Sequence, residues 1–202
     1  MNTKFQNLQA RKEQLGITLI EVSIGLIIAA IVAAVAFIAF QNNARRNEVR
    51  ENVTAMTEII AEAKQKFGRT NQFTALNGLN NTTDPAVVSS TIPRPIATSG
   101  NSYGVRPILY GSTNVAVAET TVGNFATLAW GGVPTEQCYD LVSSIAQAAN
   151  NIYISTAAPA TTGPGNTTNL LTAPGTLNAA TATAACNGIT TTGTIYVVID
   201  RV

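Results

Sequence analysis

The chain has 202 residues, enough for one compact domain with an additional segment or for two small domains. Only 11 % of its residues are charged and the net charge is +1, so it lacks the clustered Lys and Arg side chains that capture nucleic acid, and we predict no nucleic-acid partner. It contains no histidine and two cysteines, which excludes a histidine-dependent catalytic triad and a four-ligand Cys/His zinc site; we expect no catalytic residues, no metal and no cofactor, and therefore no enzyme.

The N-terminus divides into a polar leader and an apolar run. Residues 1–16 are polar and basic, with three basic residues against one acidic residue. Residues 17–40 then form a run of 24 residues in which Glu21 is the single charge. As a helix this run would be about 36 Å long, which is long enough to cross a membrane. The basic leader favours keeping residues 1–16 in the cytoplasm.

Three interpretations fit this segment. A secretory signal peptide would be cut near Ala34-Val35-Ala36, although signal peptides have apolar cores of only about 7–15 residues. A plain single-pass anchor is the second interpretation. The third gives Glu21 a function. A carboxylate is costly inside an apolar span, and cleavage after Gly16 would place a free α-amine on Ile17, four residues upstream of it.

The segment Gly16-Ile17-Thr18-Leu19-Ile20-Glu21-Val22, which follows a short basic leader and opens a long apolar run, resembles the class III signal of type IV pilins. The resemblance implies that a prepilin peptidase cleaves between Gly16 and Ile17 and methylates Ile17. It implies that Glu21 neutralises the N-terminal amine of a neighbouring subunit during assembly. The 16-residue leader, Ile17 after the cut and the 186 residues that would remain are closer to the type IVb pattern than to type IVa.

The helical pattern continues in amphipathic form over residues 41–68. Apolar residues recur every three or four positions along one face: Val49, Val53, Met56, Ile60, Ala63 and Phe67. No proline interrupts residues 17–84, and Gly68 is suited to end the helix in the left-handed conformation. We therefore predict one helix over residues 17–67, apolar on all sides over 17–40 and on one face beyond.

Residues 69–202 are predicted to form a globular α+β head. The connection over 69–104 is rich in Thr, Asn, Ser and Pro, which is typical of loop with short pieces of structure. The predicted elements that follow are strands at 105–110, 114–119 and 125–130, a helix at 134–149, a strand at 151–155, a loop at 159–178 and a final strand at 194–199.

Cys138 and Cys186 have two interpretations. In a protein that leaves the cytoplasm they indicate one disulfide, and otherwise two free buried thiols. The pilin resemblance implies export and a disulfide that bounds the segment 138–186, which the family calls the D-region. It also implies that the long N-terminal helix, with its apolar half protruding, packs on an antiparallel sheet.

The resemblance implies that the chain is the major subunit of a type IVb pilus. It would wait in the bacterial inner membrane as a precursor and then polymerise with itself into an extracellular filament that serves adhesion, aggregation or conjugative mating-pair contact. The implied partners are the prepilin peptidase, an assembly ATPase with its inner-membrane platform, and a secretin. The alternatives are a minor pilin or type II secretion pseudopilin, and a secreted binding domain behind an ordinary signal peptide, with a mature N-terminus near Phe37.

Overall fold

The structure is a computed structural model that describes residues 19–69, 72–78, 83–111, 123–161, 163 and 168–201. The chain divides into two compact units, Met1–Ala44 and Arg45–Val202. In the first unit the described residues form one helical segment, and all of them are exposed. The second unit contains the remaining elements and the hydrophobic core.

The long helix α1 spans Leu19–Ala63 and continues as a π turn over Lys64–Gly68. The absence of proline lets its hydrogen-bond ladder run without a break. In the second unit the face that includes Met56 is buried, as the apolar stripe predicts. The helical run ends at Gly68, next to the predicted end at residue 67, but not in the predicted left-handed conformation. Gly68 lies buried inside the π turn, and Arg69 after it keeps right-handed backbone (φ −66°), because the wider turn holds Phe67 and Gly68 in the core.

The other elements of the second unit follow in chain order. They are α2 (Pro85–Val88), α3 (Arg94–Ser99), β1 (Ile108–Gly111), β2 (Phe125–Pro134), α4 (Thr135–Ile145), β3 (Asn151–Ser155), β4 (Leu171–Ala173), β5 (Thr176–Leu177), α5 (Ala179–Asn187) and β6 (Thr192–Asp200). Short 3₁₀ turns occupy Phe73–Ala75 and Ala146–Ala148.

The main sheet has the strand order β1-β2-β6-β3, and its neighbouring strands are antiparallel. Alternate side chains of β6 point to opposite faces, as a strand requires. Ile195 and Val197 join the core that contains Met56 of α1, whereas Tyr196 and Val198 belong to a separate cluster on the other face. The predicted α+β fold, a long helix packed on an antiparallel sheet, is therefore confirmed.

Three strands differ from their predicted bounds. β6 spans Thr192–Asp200 rather than 194–199. β1 begins at Ile108 rather than at 105, because Pro107 has no N–H to donate to a ladder. β2 continues beyond Trp130 to Pro134 through a bulge, where Gly132 adopts a positive φ of 81°. The predicted strand at 114–119 lies outside the described residues.

The C-terminal part departs most from prediction. The loop predicted over 159–178 was wrong between 171 and 177, where β4 and β5 form a hairpin around Pro174 and Gly175 (φ 76°). The helix α5 was not predicted, because its Ala- and Thr-rich sequence shows no clear apolar stripe. Asn178 caps it, accepting a hydrogen bond from the backbone N–H of Thr181 at 3.2 Å.

A disulfide joins Cys138 of α4 to Cys186 of α5, with the Cα atoms 5.7 Å apart. Both cysteines are buried, and the two helices contact each other. The bond therefore fixes α5 to the core, and the disulfide-bounded C-terminal region of the predicted fold is present.

We expect the double substitution C138A/C186A to lower the free energy of unfolding by about 4 kcal/mol, the entropic value for a loop of this length. The measurement is chemical unfolding of the full-length protein in detergent, followed by the fluorescence of Trp130. Wild type should lose the same stability when a reductant is added, and the variant should not respond to it. Equal stability of variant and wild type would contradict the role given to the bond.

Candidate functional site

Glu21 lies in the first turn of α1 and is exposed. A carboxylate at this end of a helix is favoured by the helix dipole. Two residues further on, the hydroxyl of Ser23 donates to the carbonyl oxygen of Leu19 at 2.8 Å, within the helix. Gly16 and Ile17, the predicted cleavage and methylation positions, lie outside the described residues and stay a prediction.

Large apolar side chains are exposed on all sides of the helix that begins beside Glu21, from Leu19 to Phe40. Their exposed fractions lie between 48 and 85 %: Leu19, Ile20, Val22, Ile24, Leu26, Ile27, Ile28, Ile31, Val32, Val35, Phe37, Ile38 and Phe40. Burying one such side chain is worth about 1.5–3 kcal/mol, and soluble monomers rarely expose so large an apolar surface. This segment needs lipid or other protein around it.

The helical run Leu19–Gly68 includes a window of mean hydropathy 2.8 and is, by length and composition, able to cross a membrane. A signal sequence near the N-terminus would pass the same test. The property that distinguishes this run is its continuity, since α1 extends to Ala63 and supplies core residues to the second unit. One element therefore provides both the apolar segment and a core helix of the second unit.

A chain of polar contacts ties α1 to α4. The side-chain amide of Gln137 donates to the Glu48 carboxylate at 2.8 Å, and the Tyr103 hydroxyl donates to the Gln137 carbonyl oxygen. Burial, and secondly the charge of Glu48, raise the pKa of Tyr103, so its hydroxyl stays protonated and available as a donor. Because Gln137 precedes Cys138, these bonds also position the disulfide.

A second polar contact lies in the core. Asn52 is 1 % exposed, and its side-chain oxygen accepts a hydrogen bond from the indole N–H of Trp130 at 3.1 Å, while its amide donates to the carbonyl oxygen of Glu48 at 2.8 Å. Trp130 lies on β2 and is fully buried. Sequence reasoning missed this pair, although Asn52 is four residues before Met56 and so belongs to the same helix face.

The structure brings Cys138 and Cys186 together, whereas Glu21 belongs to the other unit. Within the described ranges, no group of three or more Cys, Asp and Glu side chains is placed to hold a metal ion.

No protein-family model matches the chain, and no curated protein sequence matches it. Among solved structures the chain is similar to the crystal structure of TcpA, a type IV pilin from Vibrio cholerae El Tor biotype. The identity is 15 %, the TM-score is 0.47, and the similarity covers 73 % of this chain and 98 % of that chain. At this TM-score the likeness does not decide family or function, so both are inferred from this chain's own residues.

We expect N52A to lower the free energy of unfolding by about 1–3 kcal/mol, because the buried indole N–H of Trp130 loses its acceptor. Trp130 is the only tryptophan of the chain, so its fluorescence reports both unfolding and the change in its surroundings. The matched control is N47A, an exposed position of the same helix, which should change stability by less than about 0.5 kcal/mol. Equal effects of the two substitutions would exclude a special role for the Asn52–Trp130 bond.

Proposed function

We propose that this chain is the precursor of a type IV pilin, a structural subunit that polymerises through its N-terminal helix into a surface filament. The observation that carries the proposal is the character of α1. Its first part exposes apolar side chains on all sides around the carboxylate of Glu21, and its second part is the core helix of the head. A membrane first and copies of the same helix afterwards would bury this surface.

In the first step the precursor is held in the bacterial inner membrane, with the basic leader on the cytoplasmic side. The prepilin peptidase then cuts between Gly16 and Ile17 and methylates the new N-terminus. The cut creates a new cationic α-amine on Ile17, at the same end of the apolar helix as Glu21. Processing thereby makes the subunit competent for assembly.

In the second step the helices of incoming subunits bundle at the base of the filament. An unpaired carboxylate in an apolar bundle is strongly unfavourable. Glu21 of one subunit therefore pairs with the Ile17 amine of a neighbour, and apolar packing supplies the bulk of the binding energy. The ion pair selects the register, because a shifted helix would leave both charges unpaired.

The head faces outward in this proposal. From residue 71 to 202 the chain has eight charged residues, and Thr, Asn, Ser, Gly and Ala dominate, so its contacts are hydrogen-bonded rather than ionic. Such a surface suits adhesion, aggregation or mating-pair contact. The machinery would comprise the prepilin peptidase, an assembly ATPase with its inner-membrane platform, and a secretin.

The leader length, Ile17 and the size of the mature chain favour the major subunit of a type IVb pilus. A minor pilin or a type II secretion pseudopilin would share the N-terminal segment. The disulfide between Cys138 and Cys186 favours the pilus, since pseudopilin domains are often smaller and without a disulfide. Abundance decides between major and minor subunit, because a major subunit dominates filaments sheared from cells.

We expect E21Q to leave cleavage intact and to reduce the filament yield. Removing one partner of a buried ion pair costs about 3–5 kcal/mol, so the yield should fall by at least about tenfold. The measurement is the amount of protein in sheared filaments against the amount of processed protein in the membrane. The matched control is E136Q, an exposed carboxylate on α4, which should assemble normally. A wild-type yield of filaments from cleaved E21Q would contradict the proposed pairing.

A further inference from the structure

In the second unit, the face of α1 that points away from the core has a neutral centre. Asn47, Thr54 and Ala61 are exposed and spaced by seven residues. At 3.6 residues per turn they fall within about 40° of one another around the helix. We call this line of small side chains the neutral stripe.

Charges of opposite sign flank the neutral stripe on its two sides. Arg46 and Arg50 lie on one side and form the cationic edge, whereas Glu51 and Glu58 lie on the other side and form the anionic edge. The two edges are separated by about 80–140° around the helix axis. All four side chains are exposed.

Ion pairs among the described residues of the second unit do not account for either edge. Neighbouring charges do have partners, since Lys64 pairs with Asp200 at 2.8 Å and Lys66 with Glu62 at 2.6 Å. In the part of the chain that the structure describes, no hydrogen bond or ion pair engages the side chains of either edge. Arg46 and Arg50 are even four residues apart, a spacing at which like charges repel along a helix. Helix stability therefore does not explain why the basic residues lie on one side of the neutral stripe and the acidic residues on the other.

A hollow of about 260 Å³ adjoins the anionic edge, between α1 and the segment around α3. Among its described lining residues, Glu51 is the single charged one, the exposed residues Ser99 and Ser102 add hydroxyl groups, and Pro95 and Ile96 are apolar. An arginine guanidinium presents five N–H donors and needs acceptors of this kind. The hollow thus offers a carboxylate and hydroxyl acceptors to an arginine of the kind that the cationic edge carries.

We propose that this face docks a second copy of the chain, with the cationic edge of one copy against the anionic edge and the hollow of the next. The inference rests on the proposed filament and names a contact within it. Each copy presents its cationic edge to one neighbour and its anionic edge to another. Such a contact joins two different surfaces and is called heterologous. A series of heterologous contacts forms a helical filament unless the copies close into a ring.

The charge order also selects the orientation of the neighbours. Two copies that lie side by side and parallel bring opposite edges together. Turning one copy by 180° in the plane of the face would bring like edges together, which electrostatic repulsion disfavours. The contact therefore supports the parallel alignment in which the N-terminal helices of all subunits point the same way.

The test reverses one edge at a time and then both. R46E/R50E and E51R/E58R should each lower the yield of sheared filaments by about tenfold or more, because like charges then meet at every contact. The quadruple variant R46E/R50E/E51R/E58R restores opposite charges at every contact and should recover to within about twofold of wild type. The matched control E136R/D140R, which reverses two exposed carboxylates on α4, should assemble normally.

Removal of the leader and formation of the Cys138–Cys186 disulfide, read from the mass of the membrane-held protein, report correct processing and folding. Wild-type yields from both double variants, or no recovery in the processed and folded quadruple variant, would overturn the edge contact and leave the proposed function in place. A wild-type protein that forms no filaments would overturn both. If a double variant does not accumulate in the membrane, single reversals replace it. R50E reverses one charge of the cationic edge, E51R reverses one charge of the anionic edge, and R50E/E51R restores opposite charges.

Discussion

The apolar surface of the N-terminal helix is the constraint on which the rest of the molecule depends. The described residues of the first unit expose Leu, Ile, Val and Phe side chains on every side, and soluble monomers rarely expose such a surface. Glu21 is the only charged residue among residues 19–44, and a carboxylate in apolar surroundings is stabilised by a cation. A membrane span that later packs against its own copies satisfies the first requirement, and an N-terminal amine satisfies the second.

The head is built around the continuation of the same helix. Asn52 of α1 accepts a hydrogen bond from the indole N–H of Trp130 in the sheet, and the side-chain amide of Gln137 in α4 donates a hydrogen bond to Glu48 of α1. The disulfide then fixes α5 to α4. These links make the position of the C-terminal region depend on α1. The helix that would join the subunits therefore also orients each head towards its neighbours. The sorted charges along the opposite face of α1 fit that arrangement.

Sequence patterns predicted the helices and strands whose local residue preferences agree with the burial that the folded chain gives them. The stripe that includes Met56 and the β-branched run that ends at Ile199 are both unambiguous. The α5 helix and the β4–β5 hairpin were missed because Ala, Thr and Asn leave the periodicity weak, and because contacts distant in sequence decide the conformation. Glu21 could be selected from its isolation in an apolar run, whereas the Asn52–Trp130 bond joins residues that no local pattern relates.

The central claim, that cleavage after Gly16 creates the subunit that polymerises, is tested most directly by the N-terminal residue and the mass of the protein sheared from the cell surface. The account predicts a methylated Ile17 at the N-terminus and the mass of residues 17–202 with one disulfide. An N-terminus near Phe37 would instead indicate an ordinary signal peptide and a secreted domain. A chain that keeps Met1 and is confined to membranes would indicate a simple anchor, and either result would contradict the account.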